Sequence, residues 1–136
     1  MKSRVGRAAA LQGRACGVHW ALGPVVDINA NPHNPITNTR AFSDDTDTVV
    51  EFSGRMIRGM QENGLCACAK HFPGDGYDDR DQHNCTSINP LSRERWLEES
   101  GRAFREAIHS AGVWSIMNGH IALPAFDPGD GRAPPA

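Results

Sequence analysis

The chain has 136 residues, of which 39% are apolar and 22% charged, with a formal net charge of −2. These values describe one ordinary globular domain and exclude the broad basic surface that holds nucleic acid or anionic membrane. No apolar run approaches the roughly 20 residues needed to span a bilayer.

In chain order, "MKSRVGRAAALQGRACG" has a basic start and an alanine-rich centre. Arg14 interrupts any signal-peptide core, so residues 4 to 16 are predicted to be a helix stopped near Gly17, and a cytoplasmic protein is expected. "VHWALGPVVDI", 18 to 28, is apolar and β-branched and reads as a buried strand despite Gly23-Pro24. Residues 29 to 42 are rich in Asn and Pro and read as a long ordered loop. Asp44 or Asp47 is the expected cap of a helix from about 47 to 63, with an apolar stripe of Val50, Met56, Ile57 and Met60 and a stop at Gly64. "LCACAKHF", 65 to 72, is a second short strand. Ser92 opens a helix to about 110 that should bury Trp96, Leu97, Phe104 and Ile108; Arg95 rather than Glu stands three residues on, so the reciprocal capping box is absent. Gly112 ends it, "VWSIMNGHI", 113 to 121, is a third strand, and the tail to Ala136 is loop.

The order αβαβαβ, with connections long enough for crossover helices, specifies a parallel sheet. A complete (β/α)8 barrel needs about 250 residues. The expected fold is therefore α/β: a fragment of a TIM-type barrel with about three parallel strands, residues 1 to 136 forming one partial domain with open edges.

In such architectures chemistry collects at the carboxyl ends of the strands. The first predicted strand ends in Asp27 and leads to Arg40, the second ends in Lys70-His71 and leads to Asp81 and His83, and the third ends in Asn118 and His120. Each has an ordinary structural account, a loop cap for Asp27 or a snorkelling stem for Lys70. Three charged strand ends on one edge point to a site. Within "KHFPGDGYDDRDQH", 70 to 83, an aspartate two residues before a histidine can accept from one ring nitrogen, which fixes the tautomer and favours the protonated ring. Such a histidine can act as an acid near neutral pH; the alternative is a solvated histidine in an acidic loop. Asp75, Asp78, Asp79 and Asp81 do not follow a calcium-loop pattern, so no metal is expected. The cysteines Cys16, Cys66, Cys68 and Cys85 form neither a redox pair nor a zinc set and read as buried free thiols.

"GPVVDINANPHNPITNTRAF", "KHFPGDG" with "DQH" behind it, and "SIMNGHIALPAFD" resemble the N-terminal barrel domain of glycoside hydrolase family 3, most nearly its bacterial β-N-acetylhexosaminidase branch, over residues 14 to 127. The resemblance implies a retaining glycosidase of β-N-acetylglucosaminides that needs no cofactor. Its partner would be a carbohydrate substrate. It implies that Lys70, His71 and Arg40 hold the sugar in the −1 subsite, and that Asp81 and His83 form a dyad in which histidine replaces the usual carboxylic acid. Asp27 and His120 are secondary candidates. The glycines around Asp75 would make the loop mobile, so that it closes over the sugar. The family's nucleophilic aspartate ends a later strand and is expected outside this chain, Asp127 and Asp130 being in a turn. Ser43 and Asp75 depart from the family's commoner glycine and "P-G-H-G". Three alternatives stand beside this reading: a catalytically incomplete sugar-binding remnant, a β-glucosidase-like member, and a phosphorolytic one.

Overall fold

A computed structural model of the chain describes residues 4–127. The first helix, α1 (Arg4–Ala15), buries its Gly6 and Ala10 face. It ends where Gly17 takes φ +80, a left-handed conformation that glycine adopts without steric penalty. Helix α2 (Thr46–Gln61) is capped by Asp45, whose carboxylate accepts the Thr48 N–H at 2.8 Å. Neither Asp44 nor Asp47 is the cap. α1 packs closely on α2 because Gly6 lacks a side chain: a Cβ there would lie 2.5 Å from the Met56 carbonyl oxygen.

Strand β1 (Cys68–Phe72) pairs in parallel with β3 (Ser115–Asn118), and the shorter β2 (Ser87–Ile88) pairs in parallel with β4 (Ile121–Ala122). The predicted first strand, 18 to 28, makes only two isolated parallel bridges, Val25 to Lys70 in β1 and Trp20 to Cys66 just before it. Pro24 has no N–H to give a ladder, so the segment is not a regular strand. The predicted third strand is likewise divided, since β3 stops at Asn118 and β4 begins at Ile121.

The long helix predicted from Ser92 is two helices, α3 (Arg93–Glu98) and α4 (Ser100–His109), broken at Glu99 with φ −108 and ψ −100. Ser92 caps α3 by accepting the Arg95 N–H. The break changes which face is buried. Phe104 is buried as expected, but Leu97 and Ile108 are exposed, and Ala103 and Ala107 take the core positions. Trp96 is half-buried and donates from Nε1 to the Pro73 carbonyl at 2.7 Å.

The core is formed by α1, α2 and α4 against the sheet: Ala10, Val49, Ile57, Met60, Ala103 and Phe104 meet Val26, Ile28, Ala67 and Ala69. Trp20, Leu22 and Trp114 remain exposed. All four cysteines are free, but only Cys68 is buried; Cys16 and Cys85 are exposed. Among the described residues no helix is long and apolar enough to cross a membrane. The tail predicted as loop, including Asp130, lies outside the described residues beyond Asp127.

Candidate active site

Asp27 is the centre of the polar layer. It is 0% exposed, an expensive place for a carboxylate unless donors surround it. Its Oδ1 accepts the backbone N–H groups of His71 at 3.0 Å and Asp75 at 2.9 Å, and its Oδ2 faces His71 Nδ1 at 2.7 Å. A carboxylate only accepts, so the proton of that last contact sits on Nδ1 and Nε2 is the ring nitrogen turned away. His71 reaches Asp27 because the β1–β3 register slips there: Lys70 lies opposite Met117 and Phe72 opposite Asn118, leaving His71 as the extra residue of a bulge. The Lys70-His71 bond is cis.

Lys70, the middle residue of β1, is half-buried. Burial pushes its pKa down, and the positive charge of Arg40 pushes the same way. Arg40 closes a 3-10 turn, Asn38–Arg40, with its guanidinium donating to the Ile36 carbonyl at 3.0 Å. Lys70 is thus held near Arg40, from a separate segment, and near Asp27.

The loop after β1 is packed, not free. Asp75 is buried, which raises its pKa, and accepts from Asn34 Nδ2 at 2.8 Å, from the Gly76 N–H at 2.7 Å and from Gln82 Nε2 at 2.6 Å. The glycines on either side of Asp75 stand where the chain makes close approaches. Gly76 has φ +100, and a Cβ on it would lie 2.0 Å from the Ile28 carbonyl oxygen. Gly76→Ala should therefore cost about 2–4 kcal/mol, read from the urea midpoint. Gly112→Ala, at φ +65 in open space, should cost about 1 kcal/mol.

Beyond Tyr77 the loop emerges into solvent. Asp78 is held below the usual carboxylate range, first by its hydrogen bonds from Arg80, and it also accepts the Ile88 N–H at 2.6 Å. Asp79 accepts from Asn31. Asp81 accepts the His83 N–H at 2.8 Å and faces His83 Nδ1 at 2.7 Å, both of which lower its pKa. The His83 side chain is 67% exposed, so Nε2 is open to a ligand. The loop's carboxylates thus face four different sets of protein donors, and among the described residues no three His, Cys, Asp or Glu side chains gather as a metal cage.

The two halves are joined. Gln82, between Asp81 and His83, is buried, and its Oε1 accepts the His120 N–H at 2.9 Å while its Nε2 holds Asp75. The His120 ring is exposed, and its residue enters the network through its backbone. Asp27 faces protein donors on both oxygens, which makes it a support for His71 and the loop instead of a ligand-facing group. Sequence reasoning assigned Asp75 no role in the site and did not single out Gln82 or Asn34. Asn34 carried a usable signal: "NPIT" is an Asx-turn pattern, and its Oδ1 does accept the Ile36 and Thr37 N–H groups.

Polar side chains gathered at the carboxyl-end edge of parallel strands, over an apolar helix-covered layer, have the placement that active sites take in α/β barrel enzymes. The chain belongs to a known family of such enzymes: residues 2–136 match the glycosyl hydrolase family 3 N terminal domain, which is a TIM barrel in full proteins. It is 50% identical over 125 residues to a β-N-acetylglucosaminidase/β-glucosidase of Cellulomonas fimi, covering 90% of this chain and 22% of that protein. Among solved structures it is similar to a β-glucoside phosphorylase bound to 2FGlc, with TM-score 0.90 and 36% identity over 96% of this chain and 24% of that one. It is also similar to NagZ from Neisseria gonorrhoeae in complex with N-trifluoroacetyl-D-glucosamine, with TM-score 0.81 and 27% identity over 90% of this chain and 35% of that one. The chain thus spans about a fifth to a third of the length of these relatives.

Proposed function

We propose that these residues are part of a retaining glycoside hydrolase of β-N-acetylglucosaminides in which His83, oriented by Asp81, is the general acid/base. The observation that carries this reading is the 2.7 Å contact between His83 Nδ1 and Asp81 on an otherwise solvent-facing loop. With Nδ1 occupied, Nε2–H is the proton that can pass to the glycosidic oxygen as the bond to C1 breaks. The nucleophile is an aspartate supplied from outside residues 1–136. It attacks C1 from the opposite face to give a glycosyl-enzyme, and His83, now neutral, takes a proton from the water that releases the sugar. Lys70, Arg40 and His71 Nε2 provide the polar contacts to sugar hydroxyls, His71 being held for this by Asp27.

The similarity to a β-glucoside phosphorylase favours a second reading, in which phosphate replaces water in the second step. A histidine repels an incoming phosphate less than a carboxylate would. The complete enzyme should be assayed on aryl β-N-acetylglucosaminides and aryl β-glucosides, with and without phosphate, and the released sugar identified. Free N-acetylglucosamine as the main product supports hydrolysis. A sugar 1-phosphate, formed in proportion to phosphate, gives the second reading the lead. Turnover of neither glycoside sinks both.

A further inference from the structure

We propose that Gln82 is a positioning residue for the acid/base pair, its buried amide tying the segment that carries Asp81 and His83 to Asp75 after β1 and to the backbone of His120 after β3. This rests on the reading of His83 as acid/base. Of residues 79 to 85, Gln82 alone is buried; Asp79, Arg80, His83, Asn84 and Cys85 are exposed. The dyad residues are its immediate neighbours, so each Cα lies about 3.8 Å from a fixed point. An amide is the group this place requires. Its Nε2 donates to a carboxylate that can only accept, while its Oε1 accepts from a backbone N–H, so both ends are satisfied. Gly119 makes room for it, because a Cβ there would stand 2.5 Å from Gln82 Oε1.

The anchor leads back to the core. Asp75 is fixed by Asn34 and the Gly76 N–H, and its own N–H is held by Asp27. Gln82 therefore joins the ends of β1 and β3 through one side chain. The segment is also tied to the protein body by Asn31 to Asp79, on its exposed side, and just before it by Asp78, which accepts the Ile88 N–H and, through its carbonyl, Asn34 Nδ2. Without the amide, His83 keeps Asp81 beside it but loses the buried point from which the pair is aimed.

Measuring kcat/KM in the complete enzyme across aryl glycosides of graded leaving-group ability tests this. Gln82→Ala should lose about 10- to 100-fold on the poorest leaving group and little on the best, because only the former needs a proton. An equal loss on all of them would show a structural role only and overturn the proposal. Gln82→Glu supplies a second variant. Facing Asp75, the new carboxylate keeps the bridge while the pair shares a proton and repels once both ionise. Its kcat/KM relative to the native enzyme should fall as pH rises, whereas that of Gln82→Ala should stay level. Asp27 and His71 face Asp75, and His120 adjoins Gln82; all three are unchanged in both variants and so cancel in the comparison. A flat ratio for Gln82→Glu would also overturn the proposal. His83→Ala in the same series separates the two ideas. If it shows no leaving-group dependence, the acid/base reading fails; if it does and Gln82→Ala does not, only the positioning role fails.

Discussion

Replacing His83 by alanine in the complete enzyme should lower turnover of a glycoside with a poor leaving group by about 100- to 10,000-fold, the reach of acid–base catalysis. Binding should change little, since a ring 67% exposed on the outer loop contributes little to the buried layer around Asp27. An activated aryl glycoside should behave differently. Its leaving group departs unaided, so the first step survives, and the glycosyl-enzyme then waits for a water that has no base to deprotonate it. A burst of aryl alcohol followed by a slow steady state is expected. Azide needs no deprotonation and should restore turnover, giving a glycosyl azide. Unchanged turnover on the poor leaving group would remove His83 from the chemistry. A loss that azide cannot relieve on any substrate would place the damage in binding or folding.

What could be read from the sequence followed from short-range rules. The helices α1 and α2 were legible because Gly17 and Gly64 punctuate them, α1 is rich in alanine, and the apolar stripe of α2 keeps the helical period. Asp81 and His83 were legible because a two-residue separation is a local geometry. Other features depend on distance in sequence. The break at Glu99 was invisible to periodicity, since Trp96 to Phe104 reads as one continuous stripe until the Trp96 ring is placed against Gly101, where an added Cβ would meet it at 2.6 Å. Asp75 looked like an incidental departure from a commoner histidine. Its partners, Asn34 and Gln82, lie 41 residues before it and 7 after it, and no local pattern pairs them. The same holds for Asp27, whose role is set by donors 44 and 48 residues away.

Asp27 is accordingly where the largest loss of stability is expected. Asp27→Ala removes the acceptor from the N–H groups of His71 and Asp75 and from His71 Nδ1. All three then lie in a buried layer without their acceptor. The loss should be about 3–5 kcal/mol, read as a shift in the urea midpoint of the complete domain. Asp27→Asn separates charge from acceptance. One oxygen remains, but the amide NH2 must face a donor unless that donor changes. If the NH2 meets Nδ1, His71 gives up its Nδ1 proton and carries it on Nε2 instead, reversing the nitrogen that would accept from a sugar hydroxyl. The expected result is a smaller loss, about 1–3 kcal/mol, with the 15N shifts of the His71 ring exchanged between its two nitrogens. A substituted Asp27→Ala domain less than about 1 kcal/mol below the native one would mean that the donors find other partners. Asp27 would then be no more than a buried capping residue, and His71 would owe its orientation to the bulge in β1 alone.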